Sequence, residues 1–510
     1  MNIAAPIFTY AKRQPDKTAI VHGRRSITYQ TLADRISRVM QYMNGFCNKT
    51  MRVGILSHNH IEAIETALGT VLSGHLIVML DQKWTTTQLI ETIRELDIDI
   101  VFTDAEFAEV MKDQTTVVTF QTMTDDPLIS YSNWVMQYSD TDKHPALAPG
   151  GKQPFYIGFT SGTTSRPKGF IRNHDSWIES FHACRPIFNI NQDSHVVTPG
   201  PMVHSLFLFT IFQTLFEGAT LYILKNFSEQ DVIHLVQHYP ITTIYLVPTM
   251  TEAMIHQLPE DVAHLNKSVS LINSGDKLTK GTKQRLYNVW PNANLYEFYG
   301  ASELSFVSVS TPGDHEKRPD SVGRPFYNVE VSIQDQSGKP LPMGEVGTLY
   351  VKSNMLFNGY MDQAETAKVF QNGWATTGDL AKIDGDGYLY LVGREKNRII
   401  SGGWNIFPEK VEEIIKQHSG IKQAVVIGIS SRFWGEIPAL ILEGNSNFMN
   451  RKELRQSYQN QLQRHEWPRK IYSVDTFPYT PSGKIARGQL KELIMKEKRE
   501  NKKVIAWPHL

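Results

Sequence analysis

The most informative segment of this 510-residue chain is the loop Phe159-Thr160-Ser161-Gly162-Thr163-Thr164-Ser165-Arg166-Pro167-Lys168-Gly169. It directly follows the apolar run Phe155–Phe159, which predicts a strand buried inside a sheet. Hydroxyls, backbone N–H groups beside a glycine and one lysine are together the groups that hold a polyphosphate. The spacing from Gly162 to Lys168 does not fit a Walker loop. Composition alone leaves a second interpretation open, an exposed Ser/Thr/Gly linker.

Around this loop, short apolar runs alternate with amphipathic segments. The runs predict strands at Leu76–Leu80, Ile98–Thr103, Phe155–Phe159, His195–Thr198, Thr220–Lys225, Thr242–Val247 and Ser270–Ile272. Helical patterns such as Ser228–His238 and Thr282–Trp290 lie between them. This alternation predicts an α/β fold with parallel sheets in a large N-terminal domain. Glycine turns become denser between Gly323 and Gly393, which predicts a smaller β-rich subdomain.

The last third of the chain has a different pattern. A strand-like run at Arg398–Ile400 precedes the turn Ser401-Gly402-Gly403, and Pro408 marks the expected start of a helix. Two further strands are expected at Ala424–Ile429 and Ala439–Leu442. We therefore expect a small C-terminal α+β domain.

Charge and composition exclude several classes of protein. The chain has 52 basic and 52 acidic side chains, so no net field recruits nucleic acid or an anionic membrane. Its two cysteines, Cys47 and Cys184, form neither a metal-binding spacing nor a disulfide framework, as is usual in a reducing compartment. The first residues lack the pattern of a signal peptide. The most apolar stretch, Ala67–Leu80, is too short to cross a bilayer. We expect a cytoplasmic protein without an integral membrane segment.

Further segments combine glycine with polar side chains that suit a nucleotide site. In chain order they are Ser274-Gly275-Asp276, Tyr296-Glu297-Phe298-Tyr299-Gly300-Ala301-Ser302-Glu303, Trp374-Ala375-Thr376-Thr377-Gly378-Asp379-Leu380, Gly393-Arg394-Glu395-Lys396-Asn397-Arg398-Ile399-Ile400-Ser401-Gly402-Gly403 and Phe477-Pro478-Tyr479-Thr480-Pro481-Ser482-Gly483-Lys484-Ile485-Ala486-Arg487. Each by itself would more often be structural or exposed surface. Together with the Thr160–Gly169 loop, and in this order, they resemble the signature motifs of the adenylate-forming superfamily. That superfamily contains acyl-CoA synthetases, firefly-luciferase-like enzymes and nonribosomal-peptide adenylation domains. The loop departs from the family pattern at Ser165, where glycine is usual.

The resemblance implies an ATP site assembled from these segments. Its expected ATP-binding residues are Thr160, Ser161, Gly162, Thr163, Thr164, Lys168, Ser274, Gly275, Tyr299, Ser302, Asp379, Arg394 and Lys484. Tyr299 is expected to stack on adenine, Ser302 to bond a phosphate, and Asp379 to accept hydrogen bonds from the ribose. Glu303 and Thr160 are the expected ligands of Mg²⁺, an ion that prefers hard oxygen donors.

The C-terminal motifs imply a mobile domain that carries a catalytic lysine. The resemblance sets a hinge at Lys396, between an adenylation domain of residues 1–394 and a mobile domain of residues 395–510. Lys484 is expected to reach both the acyl carboxylate and the α-phosphate. Gly402 and Gly403 are expected to line the CoA tunnel, where a side chain would obstruct the thiol.

The acyl pocket is expected around His204, Ser205 and Phe207, with His204 near the carboxylate as a further catalytic residue beside Glu303 and Lys484. Amino-acid-activating relatives usually have an aspartate where Ser205 aligns. Its absence disfavours an α-amino acid, because a buried ammonium without a carboxylate is costly. The apolar neighbours suit a fatty or aromatic acid, although a hydrogen-bonded core histidine and a buried helix explain the same residues equally well.

The resemblance implies an ATP-dependent, AMP-forming acid–thiol ligase of the kind used in fatty acid metabolism. Attack of the acid on the α-phosphate releases pyrophosphate, and a thiol then displaces AMP. No Asp-Ser-Leu carrier site occurs near Leu510, so free CoA is the expected thiol and a separate carrier protein is the alternative. A non-catalytic nucleotide-binding relative is a third interpretation. Ser165 favours it, whereas intact Glu303, Asp379 and Lys484 oppose it.

Overall fold

The structure is a computed structural model that describes residues 1–46, 49–120, 130–131, 146–160, 167–258, 267–418, 420–421, 423–444, 451–479 and 485–500. This part of the chain forms four β-sheets with helices packed against them. Three sheets are built from residues up to Arg394, and the fourth is built from residues after it. The predicted α/β class with a separate C-terminal domain is confirmed.

The largest sheet contains most of the strands that were predicted from apolar runs. Its strands are β1 (Thr18–His22), β2 (Arg25–Thr28), β9 (His195–Thr198), β10 (Thr220–Ile223), β11 (Thr243–Leu246), β12 (Val269–Asn273), β13 (Ala293–Ala301), β14 (Ser305–Ser310) and β15 (Arg324–Pro325). Their order is β15-β14-β13-β12-β11-β9-β10-β1-β2. The run from β13 to β1 is parallel throughout. The carboxyl ends of these strands therefore open onto one edge of the sheet.

The second sheet carries the Thr160–Gly169 segment. Its strands are β3 (Arg52–Leu56), β4 (Leu76–Met79), β5 (Ile100–Thr103), β6 (Thr116–Thr119), β7 (Pro154–Thr160), β8 (Lys168–Asn173) and β18 (Gly359–Tyr360). Their order is β18-β8-β7-β4-β3-β5-β6. β8 returns antiparallel to β7, so that Thr160 lies opposite Lys168. The predicted loop thus connects two paired strands.

Helices cover the faces of these two sheets. They are α1 (Pro6–Arg13), α2 (Tyr29–Phe46), α3 (Ile61–Leu72), α4 (Thr86–Glu95), α5 (Ala105–Met111), α6 (His174–Phe188), α7 (Ser205–Phe216), α8 (Glu229–His238), α9 (Pro248–Gln257), α10 (Lys280–Val289) and α11 (Asp314–Lys317). α8 begins at the predicted place because the Ser228 side chain accepts from the backbone N–H of Asp231. α3 is enclosed on all sides, since every one of its residues except Glu62 is buried, and most of them are apolar.

The third sheet confirms the predicted β-rich subdomain. It contains β16 (Glu330–Gln334), β17 (Gly347–Lys352), β19 (Phe370–Gln371), β20 (Trp374–Ala375), β21 (Asp379–Ile383) and β22 (Leu389–Arg394), with α12 (Gln363–Val369) beside it. All of its pairs are antiparallel. Its last hairpin ends at Arg394, where the C-terminal part of the chain begins.

The C-terminal sheet has its own core. Its strands are β23 (Ile399–Ser401), β24 (Trp404–Ile406), β25 (Ala424–Ser431), β26 (Gly435–Glu443) and β27 (Lys470–Val474), and its helices are α13 (Pro408–Lys416), α14 (Arg451–Tyr458) and α15 (Arg487–Glu500). α13 begins at Pro408 as predicted, because proline fits the first turn of a helix. A 3₁₀ turn, Glu395–Asn397, joins this unit to β22.

Aromatic packing fixes β7 against α6 and α7. The ring of Trp177 lies 5.2 Å from Phe155, 5.3 Å from Tyr156 and 5.8 Å from Phe212, measured between centroids. Burial of each such side chain stabilises the fold by roughly 1.5–3 kcal/mol. β7 therefore presents Thr160 from a rigid base. Among the described residues, we find no helix with the length and apolar character needed to cross a bilayer.

Candidate nucleotide and acyl site

Two predicted ATP-site residues, Tyr299 and Arg394, form hydrogen bonds with the carboxylate of a third, Asp379. Asp379 is 5% exposed. Its Oδ2 accepts hydrogen bonds from Tyr299 Oη at 2.6 Å and Thr377 Oγ1 at 2.8 Å, and its Oδ1 accepts one from Arg394 Nε at 3.0 Å. Tyr299, which lies 80 positions from Asp379 in sequence, thus joins Thr377 and Arg394 in one hydrogen-bonded group, named here the Asp379 cluster.

The sheet registers explain this meeting. β21 and β22 pair with Asp379 opposite Arg394, while Tyr299 extends from the carboxyl end of β13 in the largest sheet. Burial, followed by the charge of Asp379, raises the pKa of Tyr299 well above its usual value. Asp379 also raises the pKa of Arg394. Around neutral pH, Tyr299 is therefore a neutral phenol that donates, and Arg394 is a cation.

A second carboxylate lies at the end of β13. Glu303 is 8% exposed, and its Oε1 accepts a 2.5 Å hydrogen bond from Tyr360 Oη. The fully buried Arg172 lies close by and donates to the backbone oxygens of Ser302 at 3.2 Å and Met355 at 2.8 Å. Burial lowers the pKa of Arg172 to about 9, and Glu303 opposes that shift. The guanidinium therefore balances the negative charge of Glu303 from inside the protein.

Lys168 lies beside Tyr360, the residue that donates to Glu303. Its Nζ forms an ion pair with Glu365 and is 5.9 Å from the centroid of the Tyr360 ring. Tyr360 therefore contacts both predicted residues, Glu303 through its hydroxyl and Lys168 through its ring. Thr160, opposite Lys168 in the β7–β8 pair, is partly exposed at the end of its strand.

Several predicted residues lie outside the described part of the chain. They are Ser161, Gly162, Thr163, Thr164 and Lys484. Tyr479 and Ile485, which flank the segment containing Lys484, pair with each other in an isolated antiparallel bridge.

The Ser274–Asp276 turn follows β12. Ser274 is 8% exposed and its hydroxyl donates to the backbone oxygen of Phe298 at 3.2 Å. Gly275 has φ +102°, a backbone conformation that residues other than glycine rarely adopt. The next residue, Asp276, is close enough for its charge to act on Arg487 of the C-terminal unit. The turn therefore faces the unit that carries the predicted lysine loop.

The predicted acyl residues lie at the start of α7. His204 precedes the helix and is partly buried; burial lowers its pKa, against the opposing charge of Asp81. Ser205 is partly buried beside Tyr156. Phe207 is 2% exposed and packs so closely that a Cβ at Gly200 would lie 2.0 Å from its ring. Of the three, His204 and Ser205 are accessible, whereas Phe207 supports them from the core.

Aromatic rings continue this apolar region. Phe298 stacks on Phe306 with ring centroids 4.2 Å apart, and Phe306 lies 4.8 Å from Phe209. Phe209 and Phe306 are 3% and 4% exposed. The rings of Phe209, Phe298 and Phe306 therefore form an apolar border beside the start of α7.

The predicted hinge and thiol residues lie on the C-terminal side. Lys396 is in the Glu395–Asn397 turn; desolvation and the charge of Arg394 lower its pKa, while Asp379 opposes this. Gly402 and Gly403 have φ +57° and +85°. A Cβ at Gly402 would lie 2.5 Å from the Trp434 ring, whereas one at Gly403 would meet no described atom within 4 Å.

Sequence reasoning missed four contributors to this site. Arg172 and Tyr360 adjoin Glu303, Glu365 pairs with Lys168, and Thr377 bonds Asp379. Thr377 was detectable, since it lies two residues before Asp379 in the same motif. The other three have no local signal.

Comparison with known proteins identifies the family of this chain. The family described as AMP-binding enzyme matches residues 7–361, and the AMP-binding enzyme C-terminal domain matches residues 410–484. The chain belongs to the AMP-binding enzyme family. The ligase is thus a member of the adenylate-forming superfamily, as the motifs implied, and an AMP-forming acyl-CoA ligase by class.

Its relatives cover almost the whole chain. The uncharacterized acyl-CoA ligase YhfT of Bacillus subtilis is 33% identical over 96% of this chain and 98% of its own. The putative long chain fatty acid-CoA ligase VraA of Staphylococcus epidermidis is 31% identical, over 94% and 96%. ATP-bound MatB from Rhodopseudomonas palustris shares the fold with a TM-score of 0.86 at 24% identity, over 96% and 98% of the two chains. The o-succinylbenzoate CoA synthetase MenE of Bacillus subtilis, solved with its acyl-adenylate, has a TM-score of 0.84 at 22% identity, over 96% and 98%.

Proposed function

We propose that the ligase joins a carboxylic acid with an apolar, fatty or aromatic body to CoA, in the cytoplasm and through an acyl-adenylate. The observation that carries this proposal is the hydrogen-bonded group of Tyr299, Asp379 and Arg394. Glu303 follows Tyr299 in the same motif, and Lys168 lies beside Tyr360, which donates to Glu303. In the first step a carboxylate oxygen bonds the α-phosphorus as the bond to the β-phosphate breaks and pyrophosphate leaves. In the second, the CoA sulfur bonds the acyl carbon and AMP leaves with the electron pair.

The Asp379 cluster is suited to the nucleoside end of ATP. Asp379 is buried, but both of its oxygens already accept from hydroxyl and guanidinium donors, and the Arg394 side chain beside it is 43% exposed. A ribose diol that enters beside Arg394 could therefore replace one of these donors. Tyr299 supplies the ring for adenine, with Ser274 and Gly275 on the adjoining turn. Arg394 adds a positive charge that remains at any physiological pH.

The phosphate end would lie between Glu303 and the Thr160–Lys168 connection. Glu303 and Thr160 offer a carboxylate and a hydroxyl, the hard oxygen donors that fit Mg²⁺ bound together with ATP. When bound, this ion would neutralise charge on the phosphates. Lys168, Ser302 and the predicted residues Ser161, Gly162, Thr163 and Thr164 would donate to phosphate oxygens. Tyr360 would hold Glu303 in place.

The acyl end would be formed by His204 and Ser205, with Phe207 behind them. Ser205 provides no carboxylate for an α-ammonium, and the nearby rings of Phe209, Phe298 and Phe306 favour an apolar acyl group. The relatives VraA and MenE are named as a fatty acid and a succinylbenzoate ligase; both names fit a plain acid, and they differ in the shape of that acid.

The thiol would enter along Gly402 and Gly403. The open space at Gly403 leaves room for a pantetheine arm, and the exposed Trp434, which adjoins Gly402, would line its path. CoA is the favoured thiol. A carrier protein would present the same arm, so products should be compared after supplying one acyl-AMP with CoA and with holo-carriers. A thioester formed only with carriers would replace CoA in this proposal.

We place the boundary of the mobile domain at residues 394 and 395. The Glu395–Asn397 turn connects β22 to β23, and Lys277 Nζ lies 3.4 Å from Glu413 Oε1 across the boundary. Rotation at Lys396 would withdraw Lys484 after adenylation and bring the glycines to the acyl carbon.

Asp379→Asn is expected to raise the KM for ATP by about tenfold, which corresponds to ~1.4 kcal/mol. The amide keeps the shape of the side chain but removes the charge that pairs with Arg394. Initial rates at varied ATP measure this effect. Asp384→Asn, on a hairpin turn of the same sheet, is the matched control, and an unchanged KM for ATP in Asp379→Asn would contradict the assignment.

Lys396→Pro is expected to spare adenylation and to slow thioester formation by at least tenfold, or ~1.4 kcal/mol of barrier. Proline fixes φ at this residue, so that rotation of the backbone here is restricted. Pyrophosphate release and thioester formation are measured separately, with Lys396→Ala as the control. Equal loss in both half-reactions would remove Lys396 from the hinge.

A further inference from the structure

A second cluster of titratable side chains lies away from the nucleotide site, at the carboxyl ends of β3 and β5. These strands are parallel neighbours, with Leu56 opposite Thr103. β3 is followed by Ser57-His58-Asn59-His60, and β5 by Asp104-Ala105-Glu106. The pairing of the two strands therefore brings two histidines and two carboxylates to one place.

The topology makes this place a crevice. The connection from β3 leads through α3 to β4 on one side, and the connection from β5 leads through α5 to β6 on the other. Open α/β sheets bind ligands where neighbouring connections diverge in this way. Here the crevice is an open cleft of about 280 Å³, whose wall includes His58, His60, Asp104 and Glu106.

Three of these side chains point toward one another. His58 Nδ1 lies 2.8 Å from Asp104 Oδ2 and 3.6 Å from Glu106 Oε1. The three ligand atoms all lie within 4.8 Å of one another. Ligand atoms around a tetrahedral zinc ion with bonds of about 2.0–2.1 Å are about 3.4 Å apart. Small side-chain rotations therefore suffice to enclose an ion.

A second layer holds the central carboxylate. His60 Nε2 is 3.1 Å from Asp104 Oδ1, and Ser57 Oγ donates to the same oxygen at 3.1 Å. The Asp104 side chain is 6% exposed, whereas that of Glu106 is 60% exposed. One ligand is thus fixed and buried while another borders solvent, which gives an ion both a rigid anchor and an entry path.

We propose that His58, Asp104 and Glu106 bind one divalent transition-metal ion of the Zn²⁺ type, with water in the remaining position. The imidazole ligand favours such an ion over Mg²⁺ or Ca²⁺, which prefer oxygen donors alone. The site adjoins the acyl region, because Asn59, between the two histidines, accepts from Met202 N and donates to Gly200 O, each at 2.8 Å. Its ion is separate from the Mg²⁺ that accompanies ATP.

The test uses the full chain stripped of metal, without ATP or Mg²⁺. Calorimetric titration with Zn²⁺ is expected to show one equivalent bound with a Kd below about 10 µM, and Co²⁺ to give visible absorption bands at the same stoichiometry. Glu106→Gln, at an exposed position, and His58→Ala are expected to weaken binding by at least tenfold. Unchanged thermal melting of the metal-free Glu106→Gln variant shows that its fold is intact.

Two control variants test whether surface histidines outside the proposed site bind the Zn²⁺. His256→Ala removes a lone exposed histidine, and His234→Ala breaks the exposed His234–His238 pair, whose ring centroids are 4.2 Å apart. Both variants are expected to bind Zn²⁺ like the unmodified chain. The proposal is overturned if the unmodified chain binds no Zn²⁺, if Glu106→Gln and His58→Ala bind it as tightly, or if the loss follows His234→Ala instead.

Discussion

Glu303→Gln is expected to reduce acid-dependent ATP–pyrophosphate exchange by about 10²–10³-fold, the usual effect of losing one preorganised charge-stabilising group. The amide has nearly the shape of the carboxylate, so Tyr360 still has an oxygen to which it can donate. Without the negative charge, however, the proposed Mg²⁺ loses its protein anion. The Mg²⁺ concentration needed for half-maximal exchange is therefore expected to rise as well.

The buried Arg172 requires a control for stability. Neutralising Glu303 removes the carboxylate that offsets this guanidinium, so some loss of thermal stability accompanies the substitution. Melting temperature and circular dichroism distinguish that loss from a direct effect on exchange. Glu330 is an exposed carboxylate paired with Lys352, and Glu330→Gln is the matched control. It is expected to change neither the thermal stability nor the rate of exchange. A folded Glu303→Gln enzyme with normal exchange and normal Mg²⁺ dependence would contradict the proposed role.

Lys484→Ala is expected to lose adenylation by at least about 10³-fold and to keep thioester formation from supplied acyl-AMP. The approach of a carboxylate to the α-phosphate concentrates negative charge, and the proposed ammonium offsets it in that step alone. In the second step AMP leaves from an anhydride already formed. The two half-reactions are measured by pyrophosphate release and by thioester formation from synthetic acyl-AMP.

A lysine on the following helix supplies the control for that substitution. Lys491 is partly exposed, and its Nζ lies 3.8 Å from Glu436 Oε1 within the C-terminal unit. Lys491→Ala is expected to leave both half-reactions unchanged. Near-normal pyrophosphate release by Lys484→Ala would show that another group supplies the charge, and equal loss of both steps would indicate damage to the domain.

Much of the fold was predictable because its strands are buried on both faces. Ile100–Thr103, Thr220–Ile223 and Thr243–Leu246 are buried throughout, so each is an uninterrupted run of apolar or β-branched residues in the sequence. Local chemistry also fixed the starts of two helices, at Ser228 and Pro408. The division of strands among four sheets was not predictable, because it depends on pairing between distant segments.

In the candidate site, too, some residues could be predicted from the sequence and others could not. Motif residues such as Asp379 and Arg394 could be selected from the sequence, and the β21–β22 register then places them opposite each other. Arg172 and Tyr360 could not, since their roles arise where the two-residue strand β18 pairs with β8. Glycine and tyrosine at residues 359–360 have no strand pattern of their own. Their place comes from tertiary pairing alone.

In the proposed reaction, the ligase forms an acyl-adenylate before any thiol reacts. The most direct test of this order is exchange of labelled pyrophosphate into ATP, without CoA, across a panel of fatty, aromatic and amino acids. We predict exchange that requires Mg²⁺ and a plain apolar acid and that is negligible with α-amino acids. Formation of ADP and phosphate, or a folded enzyme that shows no exchange with any acid until a thiol is added, would contradict it.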